Sequence, residues 1–201
     1  MSPLDEGEPI SEWEGVTFGE EGGADAWRVV AIDLQDRMLT GEVPWGLGEL
    51  TALKSLDLLS NRLTSVSEVL VGLTALTELN LSDNELTFVP AAFGRLTALF
   101  KLDLSRNHLW SVPAKLGRLT ALTTLNLGAN RLTSVPAELG GLTALTTLIL
   151  RENQLSSVPP EFGGLTALRV LALNDNPSLG KLPAEVESLR KENGGICHIG
   201  T

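Results

Sequence analysis

The chain has 201 residues, 43% of them apolar but only 4% aromatic and with no Tyr, which points to one domain whose core is packed mainly by Leu. Its formal net charge of −10 and its lack of a basic stripe argue against a nucleic-acid partner. No stretch approaches the roughly 18 uninterrupted apolar residues of a membrane span.

Residues 1–28 hold eight acids and one base, a balance of −7, against −3 for the remaining 173 residues. The start, MSPLDEGEPISEWEG, has neither the basic opening nor the apolar run of a signal peptide. A single cysteine, Cys197, cannot form an internal disulfide and reads as a small half-buried side chain. Together these lead to the expectation of a cytoplasmic monomer. Gly19, Gly22 and Gly23 lack the spacing of a phosphate-binding loop. Ile10–Phe18 and Trp27–Leu34 are read as an N-terminal cap (residues 1–28) leading into a first strand, sealed by Trp13, Phe18 and Trp27.

From residue 29 the chain repeats itself. Five 23-residue units run Leu53–Ala75, Leu76–Ala98, Leu99–Ala121, Leu122–Ala144 and Leu145–Ala167, flanked by 24-residue units Val29–Ala52 and Leu168–Lys191. The shared pattern is LxxLxLxxNxLxxVPxxLxxLxx. In LTTLNL the period is two, so Leu125 and Leu127 face one side of a short strand and Thr124, Asn126 and Gly128 the other. Asn130 follows where the chain turns away, and its amide can satisfy turn backbone that would otherwise be buried unpaired. Val135-Pro136 sets an extended entry to a brief helical or 3-10 turn in AELGGL, which Gly140 and Gly141 help to end. One unit cannot bury its leucines alone, so the units must stack, their strands in parallel, and the two ends need caps. At the far end PAEVESLRKENGG reads as a helix stopped by Gly194 and Gly195, and ICHIG, within a C-terminal cap at 192–201, as a final strand.

The LxxLxLxxNxL pattern resembles the leucine-rich repeat family over residues 29–191. The first unit, with LTGEVP at Leu39–Pro44, is similar to plant receptor-type repeats and the middle units to the intracellular 23-residue type. Trp13, Gly15 and Val16 match the W-x-G-V-x-C motif of the plant-type N-terminal cap, but Phe18 stands in place of its cysteine. The resemblance implies an α/β repeat solenoid: an arc with a concave parallel β-sheet and convex short helical or 3-10 turns. It also implies an asparagine ladder made by Asn61, Asn84, Asn107, Asn130, Asn153 and Asn176, with Arg37 replacing Asn in the first unit.

Chemistry is sparse. There is no HExxH, CxxC, GxSxG or P-loop pattern, and His198 beside Cys197 on a strand would point to the opposite face, so an enzyme, a cofactor and a metal are not expected. Adjacent copies differ at outward places instead: Leu119–Gly141 and Leu142–Gly164 share 16 of 23 positions, and four of the seven differences are Asn126/Ile149, Gly128/Arg151, Ala129/Glu152 and Arg131/Gln154. Asp33, Asp57, Asn80, Asp103 and Asn126 should form one concave row, whose carboxylates would repel and could hold a cation or a basic peptide, flanked by Arg106, Arg131 and Arg151 as neutralising groups. Phe88 and Trp110 replace Thr or Ser at the lip of the sheet and could form one apolar patch near His108 and Arg131. The expected function is recognition of a protein or peptide, in immune-type recognition or scaffolding, through Phe88, Lys101, Asp103, Arg106, His108, Trp110, Asn126, Arg131 and Arg151. The alternative is an idealised repeat scaffold with no dedicated ligand.

Overall fold

The computed structural model describes residues 14–20, 23–24, 28–43, 45–192 and 198–200. Trp13, Trp27, Gly194, Gly195 and Cys197 lie outside these, and with them the expectations that rest on those residues. The described strands are β1 (Val16–Phe18), β2 (Val29–Asp33), β3 (Thr40–Glu42), β4 (Ser55–Asp57), β5 (Arg62–Ser65), β6 (Glu78–Asn80), β7 (Lys101–Asp103), β8 (Thr124–Asn126), β9 (Thr147–Ile149), β10 (Val170–Ala172) and β11 (His198–Gly200); one α-helix, α1, spans Ala184–Glu192.

Nine strands make one sheet in the order β1-β2-β4-β6-β7-β8-β9-β10-β11. Neighbours are parallel except β1, which runs antiparallel to β2. The 23-residue period sets the register: Leu79, Leu102, Leu125 and Leu148 are successive partners across the sheet. These leucines, and the second strand-end leucines Leu81, Leu104, Leu127 and Leu150, have almost no exposed surface, so each repeat completes the core of its neighbours. Each buried Leu contributes about 1.5–3 kcal/mol relative to exposure, which explains why the inward positions barely vary.

The outer side is built from five-residue 3-10 turns, such as Ala114–Arg118, Ala137–Gly141 and Pro160–Gly164, each entered through an extended Pro and closed by a leucine N–H. Leu142, for example, donates to the Leu139 carbonyl at 3.1 Å. A sheet on one side and compact turns on the other make the α/β solenoid arc that the repeats imply. Gly140 serves clearance between turns: a Cβ there would lie 2.3 Å from the Glu161 carbonyl oxygen of the next turn, whereas one on Gly141 would meet its nearest neighbour at 3.8 Å. Gly140→Ala is therefore expected to cost about 1–3 kcal/mol by overpacking and Gly141→Ala less than about 0.5, as urea unfolding midpoints will show; equal losses would refute this account of the stacking.

Two features of the first repeats go beyond the sequence reading. β3 and β5 pair in parallel as a second, two-stranded sheet on the flank where the chain leaves the main sheet. At the opening edge, Gly15 adopts φ +81° and a Cβ on it would strike the Asp33 carbonyl oxygen at 2.1 Å; its own carbonyl accepts the Asp33 N–H at 2.7 Å. Arg37, standing at the ladder position, turns outward and pairs with Glu14, tying β1's approach to the first repeat. Phe18, in β1, is half-buried opposite Val29. Among the described residues no helix is long and apolar enough to cross a membrane.

Candidate recognition surface

The surface rests on the turn that follows each strand. Residues Ser60, Asp83, Arg106, Ala129, Glu152 and Asp175, one per repeat, have φ between 52° and 58°. Each immediately precedes a ladder asparagine and reverses the chain so that the asparagine side chain enters the core. Five residue types are tolerated there, none β-branched, although the left-handed region costs any L residue about 1–2 kcal/mol. Ala129/Glu152 is thus free in chemistry but constrained in backbone. Ala129→Val should destabilise by about 1–2 kcal/mol, while Ala129→Gly should be neutral or slightly stabilising in thermal melts; the reverse order would show that the left-handed turn is not formed.

All six asparagines of the ladder are buried and fully used. Asn107 is typical: its Nδ2 donates to the carbonyls of Leu81 (2.9 Å), Leu104 (3.2 Å) and Ser105 (3.1 Å), and its Oδ1 accepts the Leu86 N–H at 2.9 Å. Asn61 at the first junction accepts two N–H groups, from Leu39 and Arg37, which satisfies the turn that lacks its own asparagine.

On the concave face the row of carboxylates is built differently from the expectation. Asp57 and Asp103 each cap the backbone N–H two residues on, Leu59 and Ser105, with one oxygen, and accept from Asn80 and Asn126 of the next strand with the other, at 3.1 and 3.0 Å. From β4 to β8 amides alternate with acids, and Asp103 and Asn126 satisfy one another, so the one adjacent carboxylate pair of the expected row is Asp33 and Asp57, register partners on β2 and β4. Nor do the arginines neutralise this row: Arg151 meets Glu152 at 3.6 Å, and it is Lys101 that pairs with Glu78, at 3.9 Å. Arg106 and Arg131 make no ion pair among the described residues. Among the described residues no three His, Cys, Asp or Glu side chains are placed to hold a metal ion.

The aromatic side chains are the exposed apolar part of the surface. Trp110 is 55% and Phe88 53% exposed. Phe88 follows Leu86 by two residues and Trp110 follows Leu109 by one, so in an extended segment they are one step out of phase, and they make no ring contact. Trp110 is instead matched with Arg131, whose guanidinium carbon lies 5.6 Å from the ring centroid. The structure adds Phe100, 40% exposed, just before β7. It interrupts a column of threonines in which Thr77, Thr123 and Thr146 each donate a hydroxyl to the preceding repeat's carbonyl, and that interruption is the signal by which the sequence shows it. The fourth repeat therefore carries Phe100 at one end of its strand and Trp110 beyond the other, with Lys101, Arg106 and His108 between them. A broad hollow of about 680 Å³ lies on the outer side among Lys115, Arg118, Glu138 and Glu161, remote from these residues.

The family model of the leucine rich repeat matches residues 45–109 and 117–177, more than half of the chain. The chain is a leucine-rich repeat protein. Solved structures agree. A leucine-rich repeat protein of Leptospira interrogans is 37% identical, with a TM-score of 0.75 over 79% of this chain and 40% of that one. The Arabidopsis receptor kinase HAESA, solved with the peptide hormone IDA and the co-receptor SERK1, is 31% identical, with a TM-score of 0.80 over 95% of this chain and 32% of that one. The ectodomain of the Arabidopsis thaliana receptor kinase GASSHO1/SCHENGEN3, in complex with CASPARIAN STRIP INTEGRITY FACTOR 2, is 34% identical, with a TM-score of 0.74 over 83% of this chain and 20% of that one. This leucine-rich repeat chain spans less than half the length of each of these solved chains. No curated protein matched its sequence.

Proposed function

We propose that this chain is a recognition module that binds a protein or peptide across its concave sheet and the adjoining flank, centred on the fourth and fifth repeats. The observation that carries this reading is the half-exposed Trp110, with the Arg131 guanidinium over its ring, at a position that Thr occupies in the second, third and fifth repeats. Large aromatics and Arg are the side chains that most often anchor interfaces, and a rigid repeat scaffold presents them without reorganising. The neighbours solved with a peptide hormone and with CASPARIAN STRIP INTEGRITY FACTOR 2 support a protein or peptide ligand. Phe88, Phe100, Lys101, Arg106, His108 and Arg151 extend the contact surface, while Asp103 and Asn126, already bonded to each other, shape its floor.

The test is affinity capture from the source's lysate with three baits: the intact chain, Trp110→Ala/Arg131→Ala, and an outer-face control, Lys115→Ala/Glu138→Ala. A partner retained by the intact chain and the control but lost from the first variant supports the reading. Loss only from the outer-face control would move the site to the convex turns. A chain that retains nothing specific would favour a repeat scaffold without a dedicated ligand.

A further inference from the structure

We propose that the Arg131 guanidinium, held over the Trp110 ring, is the docking point for a carboxylate side chain of the partner. This rests on the recognition reading above and assigns the chemistry of what binds there.

The register of the flank creates the pair. Arg131 donates its backbone N–H to the Leu109 carbonyl at 2.9 Å, which sets residue 131 beside residue 110. The same step sets His108 beside Thr87, through His108 N–H to Leu86, and Gln154 beside Thr133, through Gln154 N–H to Leu132. Of these three steps, one brings a guanidinium onto an aromatic face. A guanidinium over a ring face is held by cation–π attraction, which leaves its N–H donors available and restrains an otherwise flexible side chain before anything binds. A fork of donors so restrained matches the two oxygens of a carboxylate, and less rotamer freedom is lost when the bond forms.

None of the described residues supplies that carboxylate. The Arg131 side chain makes no hydrogen bond or ion pair among the described residues, unlike Arg37, Lys101 and Arg151, which meet Glu14, Glu78 and Glu152. Of the acids in nearby repeats, Asp83 accepts the Ser60 hydroxyl at 2.8 Å and Glu152 is paired with Arg151. Glu85 shares the column of His108 and Arg131 but stands two repeats from Arg131, about 10 Å at strand spacing. Arg106 and His108 add cationic and polar N–H groups to the same edge. The chain's overall acidity does not oppose this, because residues 1–28 carry −7 of the −10, and such charges are screened over a Debye length of about 8 Å.

Random dodecapeptides displayed on phage, selected in parallel on the intact full chain and on Arg131→Gln, test the assignment. Peptides selected on the intact chain should be enriched in Asp and Glu. When synthesised, they should bind Arg131→Gln at least tenfold more weakly, leave Arg95→Gln of the outer turns unaffected, and lose as much when the enriched acid is replaced by its amide. Circular dichroism melts matching the intact chain will show that Arg131→Gln is folded. Binders without acids, or acidic binders held equally by Arg131→Gln, would overturn the carboxylate assignment and leave recognition standing. No selectable binder at all would overturn both.

Discussion

Replacing Asn107 with Leu is expected to destabilise the protein by about 1–3 kcal/mol and to lower its melting temperature by about 2–12 °C. The substitution keeps a similar volume but removes an acceptor and a donor amide at the centre of the solenoid. The Leu86 N–H loses its Asn107 partner outright, where Asn107 itself is only 4% exposed and water cannot easily replace it, while the Leu81 carbonyl keeps the Asn84 amide at 3.3 Å. A buried backbone N–H left unpaired costs about 1–3 kcal/mol. Thermal and urea unfolding of the variant measure this directly. An unchanged midpoint would mean that the ladder adds nothing to stability and that the leucine stack alone sets the fold.

The second large effect concerns binding. Trp110→Ala with Arg131→Ala should weaken the partner by about 30-fold or more per residue if both act as anchors, since truncating a central aromatic or Arg commonly costs about 2 kcal/mol or more. The fold should be unaffected, because both side chains are exposed and neither bonds to the ladder or the core. Titration calorimetry with the captured partner will separate the two contributions. Because the ring orients the guanidinium, the double variant should lose less than the sum of the single ones. Strict additivity would show that Trp110 and Arg131 contact the partner independently.

Much of this architecture is written in spacing. Leucines at alternate positions, an asparagine three residues after the second, and a 23-residue period leave few ways to bury the apolar mass, and so the parallel register and the ladder follow from counting. What spacing does not carry is chemistry between repeats. That Asn80 and Asn126 would each donate to the carboxylate of the strand before, while Asp57 and Asp103 each cap their own turn, depends on side-chain geometry across strands, and it leaves like charges at strand spacing only at Asp33 and Asp57 in this row. Ala129 and Glu152 look like free surface positions because no glycine marks the left-handed turn. Gly140 looks like a turn breaker, yet it is set by the neighbouring turn's Glu161 carbonyl, 21 residues further along the chain. Phe100 stands outside the strand pattern, before β7, where attention to outward strand positions does not reach. The nearness of Trp110 to Arg131 was visible in outline, but their face-on match depends on which carbonyl accepts the Arg131 N–H.

The most direct test of where this protein recognises its partner is hydrogen–deuterium exchange of the chain with and without the captured partner bound. The account predicts slowed exchange across residues 78–88, 101–110 and 124–133, with the outer turns Ala114–Arg118 and Ala137–Gly141 unchanged. Protection confined to those outer turns, with the strands and the Trp110 flank unaffected, would contradict it.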